Sequence, residues 1–422
     1  KAIRRQRQMC IRDSYKTNKR RKMKSKGTSL VDKQYIIPFI LVTSLFFLWG
    51  FAHAILDVMN KHFQEALDIT KAHSAFIQVT MYMGYFVMAI PAGLFINRFG
   101  YRKGVVSGLI LYGVGALLFI PGEYIASFNA FLFALFVIGC GLAFLETAAN
   151  PYVTELGAKE TAASRLNFAQ SFNGLGCICA PILVGFMLFS NDGQEGSGSV
   201  ALPYVCMGVI VLLVAVIFSR VKLPEIEHAI EVDSEGHKVS LWSHKLFVFG
   251  AFALFAYEIG EISINSFFIN YVVEQKWMSA RDASWVLSFG GLGLFMVGRF
   301  VGSWIMRRVR AEKMLFVCAT GVVFTTFVVL LDVGLISLVA LLCGYAFEAI
   351  MFPTIFALSL KGLRSHTKRA SSFLMMSPVG GVVGPLLMGY VADQTTMVWS
   401  FAVPFCAYVF VWFYARKMLS VA

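Results

Sequence analysis

Six ionisable side chains lie inside long apolar segments of the sequence, where a charged group is unfavourable. They are Asp57, Glu146, Glu258, Glu261, Arg299 and Glu348. Each charged group at the centre of a membrane helix would cost about 2.5–3.5 kcal/mol. Five acids and one arginine cannot all be neutralised by pairing, so some acids must face a water-filled cavity or carry a proton. Burial away from water favours the neutral form of a carboxyl group, which is the chemistry that a proton carrier needs.

The stretch FLETAANPYVTELG places Glu146 and Asn150 four residues apart, so they share one helix face. A carboxylate beside a carboxamide can form hydrogen bonds with adjacent hydroxyl groups of a sugar. The structural alternative is an acid that is tied to a neighbouring helix by hydrogen bonds. We expect a functional role, because ionisable residues within a membrane usually mark a functional site.

One helix stripe in the first apolar segment carries Trp49, His53 and Asp57, which recur every four residues in FLWGFAHAILDVMNKHFQ. An indole offers a flat face to a sugar ring, and an acid offers hydrogen-bond acceptors. The sequence therefore predicts that Trp49 and His53 bind substrate. Asp57 lies near the outer end of its segment, so it could instead face external water.

A second acidic face lies in the segment FAYEIGEISINSFFINY, where Glu258, Glu261 and Asn265 stand at positions i, i+3 and i+7. We expect Glu261 and Asn265 to line the cavity and contact substrate. Glu258 shares this face and has no assigned role.

Three amide side chains recur every three residues in another segment: Asn167, Gln170 and Asn173. Unpaired amides would be unfavourable in lipid, so we expect them to face the protein interior. Contact with a sugar is predicted for Gln170 and Asn173, and hydrogen bonding between helices is the alternative.

The elements that carry these residues are predicted to be membrane helices. Of the 422 residues 58% are hydrophobic and 14% charged, whereas soluble domains carry about 25% charge. Twelve apolar runs reach the roughly 20 residues that a spanning helix needs. They lie near 35–59, 74–96, 104–121, 128–150, 166–190, 201–220, 245–273, 284–306, 313–331, 334–360, 370–391 and 396–415. None alternates as the strands of a membrane barrel would. The predicted fold is an all-α membrane protein with twelve transmembrane helices.

Basic residues orient the predicted helices. One set of loops and helix ends holds Arg98, Arg102, Lys103, Lys159, Arg165, Arg220, Lys222, Lys238, Lys245, Arg307, Arg308, Arg310, Lys313, Lys361, Arg364, Lys368, Arg369, Arg416 and Lys417. The opposite set holds Lys61, Lys71, Lys276 and Arg281. Because positive charge is retained on the cytoplasmic side, both termini are predicted to be cytoplasmic.

The net charge of +13 comes mostly from the first 34 residues, which hold thirteen Lys or Arg against Asp13 and Asp32. This basic tail alone does not indicate nucleic-acid binding, since the remaining chain is nearly neutral. Residues 1–22 resemble a translated sequencing adapter, so we expect the native chain to start near Met23.

The chain contains an internal repeat. Arg165, Gly176, Pro181 and Gly185 recur 204 residues later as Arg369, Gly380, Pro385 and Gly389. The repeat predicts a six-helix bundle at 35–220, a cytoplasmic linker at 221–244 and a second bundle at 245–422. Duplicated bundles of this kind place substrate and coupling ions near the membrane midplane, between the halves.

Several motifs resemble a known family. GLFINRFGYRK resembles the loop signature of the major facilitator superfamily, although Asn97 stands where that signature usually has Asp. LETAANPYVTELG, LNFAQSFNGLG, MFPTIFALSLKGL and SFLMMSPVGGVVGPLLMGYVAD together resemble the fucose:proton symporter family across residues 35–416. This resemblance implies the major facilitator fold and proton-coupling roles for Asp57 and Glu146. HAIL before Asp57 departs from the fucose permeases, and the region around Glu261 is similar to the glucose/galactose branch.

The predicted function is that of a proton-coupled sugar symporter, which imports L-fucose or a related monosaccharide by alternating access. Its alternatives are a glucose/galactose transporter that is proton-coupled, sodium-coupled or facilitative, and a membrane sugar sensor. No enzyme is predicted, because the sequence lacks a Gly-rich phosphate loop, a nucleophile elbow and a His/Cys cluster with metal spacing. We expect no cofactor and no metal. The expected partners are a monosaccharide, protons and lipid, in a monomer of the bacterial inner membrane.

Overall fold

The computed structural model describes residues 30–66, 71–125, 127–189, 201–221, 240–363 and 366–421. Side chains are described there except at positions 56–66, 71–75, 78, 181–182, 184–189, 280–281 and 284. All regular structure in the described residues is helical.

The N-terminal half contains six long helices. They are α1 (Ile36–Ala66), α2 (Lys71–Phe99), α3 (Tyr101–Leu117, continued by a short helix Phe119–Ile125), α4 (Phe128–Glu155), α5 (Ala162–Phe189) and α6 (Ala201–Arg220). Helix α1 packs on α5, and α4 packs on both α2 and α3. The predicted first span therefore continues beyond residue 59, to Ala66.

The C-terminal half repeats this plan with interrupted helices. They are α7 (Lys245–Glu274), α8 (Gly293–Met306, preceded by Ala280–Trp285 and a π-helix, Val286–Leu292), α9 (Ala311–Leu330), α10a (Leu335–Glu348), α10b (Met351–Leu360), α11a (Thr367–Leu374), α11b (Gly380–Gln394) and α12 (Ala402–Val421, preceded by Met397–Ser400). A 3₁₀ turn, Ser377–Val379, joins the two parts of α11.

Eleven helical spans among the described residues are long and apolar enough to cross a membrane. The remaining predicted span, 166–190, falls in α5, which has 28 residues. The chain is therefore a multi-pass membrane protein with the expected all-α fold in two six-helix bundles.

Two prolines free backbone carbonyl groups that neighbouring helices then use. Proline has no N–H, so the carbonyl four residues before it lacks its usual helical donor. Pro151 in this way frees the Thr147 carbonyl, which accepts a hydrogen bond from Ser371 Oγ at 3.1 Å. Pro353 frees the Ala349 carbonyl at the break between α10a and α10b, and Arg299 Nε donates to it at 3.1 Å. Both freed carbonyls are satisfied by side chains from other helices.

Within the described residues, the largest contacts between the two halves are those of α5 with α8 and α10b, and of α11a with α2 and α4. Several of these contacts lie toward one end of the bundle, called here the basic end and defined by Arg102, Lys159, Arg307, Lys361 and Lys368. The Lys368 ammonium group, on α11a, lies 4.9 Å from the centre of the Tyr101 ring at the start of α3. The basic end is therefore closed by contacts between the halves.

A reciprocal pair of serine hydrogen bonds also joins the halves. Ser164 Oγ donates to the Ser303 carbonyl oxygen at 2.6 Å, and Ser303 Oγ donates to the Ser164 carbonyl oxygen at 2.8 Å. Both residues are buried, at the ends of α5 and α8 that lie nearest the basic end. The pair fixes the distance between these two helices.

Candidate functional site

The interface between the halves contains a connected chain of polar side chains. Arg299 Nη1, on α8, donates to the Gln170 carbonyl oxygen on α5 at 3.1 Å and lies 3.5 Å from Gln170 Oε1. Gln170 Nε2 donates to Asn150 Oδ1 on α4 at 3.2 Å. Asn150 Nδ2 contacts Met375 Sδ at 3.5 Å. The structure therefore brings the predicted substrate ligands Asn150 and Gln170 into direct contact, buried at the centre of the bundle.

Glu146 lies one helical turn from Asn150 on the same side of α4, as the spacing predicts. Its side chain is 3% exposed, and Oε1 has no hydrogen-bond partner among the described residues. An unsatisfied buried polar atom costs about 1–3 kcal/mol. Arg299 lies within electrostatic range of this carboxyl group but bonds to backbone carbonyls instead. Glu146 is thus placed to hold a proton or to accept a hydrogen bond from a ligand.

The stripe on α1 faces a tyrosine that the sequence analysis missed. Trp49 Nε1 donates to Tyr85 Oη at 2.5 Å, and His53 Nε2 lies 3.2 Å from the same oxygen. The Trp49 and His53 rings meet edge to face, with centroids 5.4 Å apart. Tyr85 is buried in α2. The sequence feature that could have identified it is a side chain with a hydroxyl group inside an apolar segment. Trp49 and His53 are partly exposed on one wall of the interface.

The predicted coupling acid Asp57 lies on α1, one turn beyond His53. Its side chain falls outside the described residues, so its proton-coupling role stays a prediction.

Helix α7 provides the opposite wall. Glu258 is 7% exposed, whereas Glu261 and Asn265, farther from the basic end, are only partly buried. Asn265 Oδ1 has no hydrogen-bond partner. Glu261 and Asn265 are therefore the more accessible polar groups of this face of α7.

The guanidinium group of Arg299 lies near three acids at this interface. Arg299 lies within electrostatic range of Glu146, Glu258 and Glu261. It also lies 4.4 Å from the centre of the Phe295 ring. A single positive charge cannot neutralise three carboxylates. The excess of acidic over basic side chains that the sequence indicates therefore lies at this interface.

The amides of α5 fall into two environments. Asn167 Nδ2 donates to the Ala163 carbonyl oxygen at 2.9 Å and to Thr354 Oγ1 at 3.1 Å, so this residue joins helices. Asn173 is 9% exposed and lies where α5 crosses α1. There, any side-chain carbon at Gly50 would overlap the Asn173 carbonyl group. Gly50 thus permits the close approach of α1 to α5 at Asn173.

Glu348, for which the sequence suggested no role, is buried at the end of α10a. Its Oε1 accepts a hydrogen bond from the Tyr408 hydroxyl at 2.7 Å. Across the part of the chain that the structure describes, no three His, Cys, Asp or Glu side chains form a group able to bind a metal ion.

Comparisons with known proteins agree with this architecture. A glucose/galactose transporter of Brucella abortus biovar 1 is 35% identical over 388 residues, which cover 90% of this chain and 94% of that protein. An L-fucose-proton symporter of Escherichia coli K12 is 35% identical over 386 residues, covering 86% of this chain and 88% of that protein.

A solved structure is similar to this chain in fold as well as in sequence. The crystal structure of the transporter FucP in the outward conformation matches with a TM-score of 0.83 at 33% identity, and the match covers 92% of this chain and 99% of that one. The sequence model of the Major Facilitator Superfamily matches residues 39–377. The chain belongs to the Major Facilitator Superfamily and, within it, to the fucose:proton symporter family.

Proposed function

We propose that the protein is a proton-coupled symporter that imports L-fucose or a related monosaccharide. The observation that carries this proposal is the Glu146 carboxyl group, which is buried between the halves with one oxygen unpartnered. Asn150 and Gln170 lie beside it with their amide groups. The names of the relatives, an L-fucose-proton symporter and a glucose/galactose transporter, support the same substrate class.

The proposed orientation places the basic end in the cytoplasm. Basic loops are retained on the cytoplasmic side of bacterial membranes, so both termini are cytoplasmic and the interface is open to the outside in this conformation. The localisation is the inner membrane, with bundles at 35–220 and 245–422 acting as a monomer.

Alternating access then follows from the contacts at the basic end. Sugar and proton enter from outside, the two halves rock, and the bonds between Ser164 and Ser303 break so that the cytoplasmic side can open. A neutral carboxyl group crosses between the two states at lower free energy than a charged one. Asp57 and Glu146 are the proposed proton carriers, so transport of the sugar is tied to their protonation.

The proposed sugar site has an aromatic wall and a polar wall. Trp49 offers its indole face to the sugar ring, and His53 stands beside it. The hydrogen-bonding groups are Asn150, Gln170, Asn173, Glu261 and Asn265. When a sugar binds, a hydrogen bond between two amide groups can be replaced by a hydrogen bond to a sugar hydroxyl. The buried amides then keep their hydrogen bonds, so binding leaves no buried polar atom unpaired.

A glucose or galactose substrate is the second candidate, and the position of Glu261 favours it. This carboxyl group is partly exposed on the α7 wall, where it can accept hydrogen bonds from a hydroxyl that a deoxy sugar lacks. A site built to bond a hydroxyl rejects the analogue without it strongly.

The test uses purified protein in proteoliposomes, with L-fucose, D-galactose, D-glucose, D-mannose and D-arabinose as substrates. An imposed proton gradient, acidic outside, should drive accumulation of at least one of these sugars, and a sodium gradient alone should not. Asp57→Asn should lose uphill accumulation while counterflow of labelled sugar stays measurable.

Two outcomes would contradict the proposal. Accumulation driven by sodium alone would replace the proton with a different coupling ion. Specific sugar binding without any flux would instead indicate a sensor.

A further inference from the structure

Glu348 is a buried acid that the proposed sugar site does not use. It ends α10a and is 1% exposed. The Tyr408 hydroxyl on α12 donates to Oε1 at 2.7 Å, while Oε2 has no hydrogen-bond partner in the part of the chain that the structure describes. Among the described side chains, no Lys, Arg or His forms an ion pair with Glu348.

This environment fits a carboxylic acid better than a carboxylate. Taking an ion out of water costs several kcal/mol even after the protein relaxes, and one hydrogen bond from Tyr408 cannot offset that. A neutral acid keeps Oε1 as the acceptor for Tyr408 and carries its proton on the unpartnered Oε2. The geometry thus describes Glu348 with a bound proton in this conformation.

The helices packed around Glu348 bring several other groups toward it. These groups are Tyr408 of α12, Tyr257 and Glu261 of α7, Tyr345 of α10a, Thr325 of α9 and Arg299 of α8. Among them, Glu261 is the only other carboxyl group and Arg299 the only cation. Arg299 donates to the carbonyl of the next residue, Ala349, rather than to the Glu348 carboxyl group.

Glu261 connects the surroundings of Glu348 to the proposed sugar site. Its carboxyl group lies within electrostatic range of Tyr257 and of Glu348, and the Tyr257 hydroxyl donates to the Glu348 backbone carbonyl oxygen at 3.3 Å. Tyr257 and Tyr408 are fully buried, whereas Glu261 is partly exposed at the interface between the halves. Glu261 is therefore the outer acid of this pair and Glu348 the inner one.

We propose that Glu348 is a second proton-binding site, located in the C-terminal half, which exchanges its proton with Glu261 at the sugar site. This inference rests on the proposed proton-coupled function. It adds a proton carrier on the opposite half of the molecule from Asp57 and Glu146.

The transfer conserves atoms and charge. One carboxyl O–H bond breaks at Glu261 and one forms at Glu348 Oε2, while the Tyr408 hydroxyl keeps its proton and its bond to Oε1. Glu261 is left as a carboxylate at the interface, within electrostatic range of Arg299. The charge thus stays where water and a cation are near, and the deep acid becomes neutral.

A purely structural role for Glu348 makes a different prediction. As a clamp, Glu348 would only accept the bond from Tyr408 and so tie α10a to α12. Glu348→Gln keeps an acceptor oxygen at the same position but cannot exchange a proton, so it separates the two roles. Tyr345→Phe is the matched control for Tyr408→Phe, because the Tyr345 hydroxyl has no hydrogen-bond partner.

The first measurement is infrared difference spectroscopy of the reconstituted full-length chain between acidic and alkaline pH. The wild type should show the C=O band of a protonated carboxyl group that is missing from Glu348→Gln, shifted in Tyr408→Phe and unchanged in Tyr345→Phe. A band identical in the wild type and Glu348→Gln would overturn the proposal, whatever the transport results.

The second measurement compares proton-driven accumulation with counterflow. Glu348→Gln should lower accumulation by a factor of about 5–150, the range of an ordinary coupling free energy, with counterflow still measurable. If the wild type accumulates sugar and Glu348→Gln accumulates it equally, Glu348 is a clamp and this inference fails alone. If the wild type shows no proton-driven accumulation, the proposed function fails as well.

Discussion

Arg299 on α8 donates a hydrogen bond from Nη1 to the carbonyl oxygen of Gln170 on α5, at 3.1 Å. The two helices belong to opposite halves, so this bond spans the interface at which the proposed rocking motion occurs. The Nε atom of the same guanidinium bonds the Ala349 carbonyl freed by Pro353. Arg299 therefore donates a hydrogen bond to the carbonyl group freed at the helix break in its own half. It also bonds to a helix of the other half.

Replacing Arg299 tests this double contact. Lysine carries the same charge but lacks the planar fork that bonds two carbonyls at once. Arg299→Lys should destabilise the protein by about 1.5–3 kcal/mol, the worth of a hydrogen bond to a charged group, and should strongly reduce transport. The measurements are thermal unfolding in detergent and uptake in proteoliposomes. Arg308→Lys is the control, because Arg308 is exposed and contacts only the Trp304 ring. Equal unfolding temperatures for both variants would contradict the assignment.

The serine pair at the basic end predicts a change in conformational balance. Ser164→Ala and Ser303→Ala each remove a buried hydrogen bond worth about 0.5–1.5 kcal/mol, and the two hydroxyls also lie 3.3 Å apart. The double variant should shift the population toward the state that is open at the basic end. Labelling of a cysteine introduced near Ser303 should become faster from that side. Ser44→Ala, whose hydroxyl bonds only within α1, should leave labelling unchanged. An unaltered rate in the double variant would contradict a locking role.

The crossing of α1 and α5 predicts a steric effect. In Gly50→Ala, the added methyl group overlaps the Asn173 carbonyl, so the helices must move apart. We expect a loss of stability of about 1–3 kcal/mol, typical of overpacking, together with weaker sugar binding, because Trp49 and Asn173 separate. Gly293→Ala is the control, since its added methyl group would lie 3.9 Å from the Ser288 carbonyl oxygen, an ordinary van der Waals contact. Thermal unfolding with and without sugar measures both effects, and a fully stable Gly50→Ala would refute the packing argument.

Tyr85 predicts an effect on the aromatic wall. Tyr85→Phe removes the acceptor for Trp49 and the contact with His53. Both rings should gain freedom, so we expect sugar affinity to fall by about tenfold, equivalent to one buried hydrogen bond. Quenching of Trp fluorescence by sugar measures the affinity. Tyr345→Phe should bind like the wild type, and an unchanged affinity in Tyr85→Phe would show that the wall does not depend on this hydroxyl.

Sequence periodicity was sufficient to place residues that share one helix. The four-residue spacing of Trp49 and His53, and of Glu146 and Asn150, predicted shared faces, because 3.6 residues make one helical turn. The positions of the spans followed from the lengths of the apolar runs, because a membrane-spanning helix needs roughly 20 apolar residues. The interruptions at 349–350 and 375–379 were not predicted, because apolar runs there continue without a break in hydropathy.

Contacts between distant helices could not be predicted in this way. Arg299 and Gln170 are 129 positions apart, and only the packing of α8 on α5 brings them together. The Ala349 carbonyl, which accepts a hydrogen bond from Arg299, had a local sequence signal, because Pro353 must free it. The structure was needed to identify Arg299 as the donor. Tyr85 likewise gained its importance from the packing of α2 near α1.

The most direct test of the account is proton uptake during sugar entry in Glu146→Gln. Adding sugar to lightly buffered cells or proteoliposomes that contain the wild type should raise external pH, because each sugar carries a proton inward. Glu146→Gln retains the shape and hydrogen-bonding capacity of the side chain but cannot carry that proton. We predict that its alkalinisation is lost while counterflow stays measurable. Alkalinisation of wild-type size in Glu146→Gln would contradict the assignment of the buried carboxyl group as the coupling site.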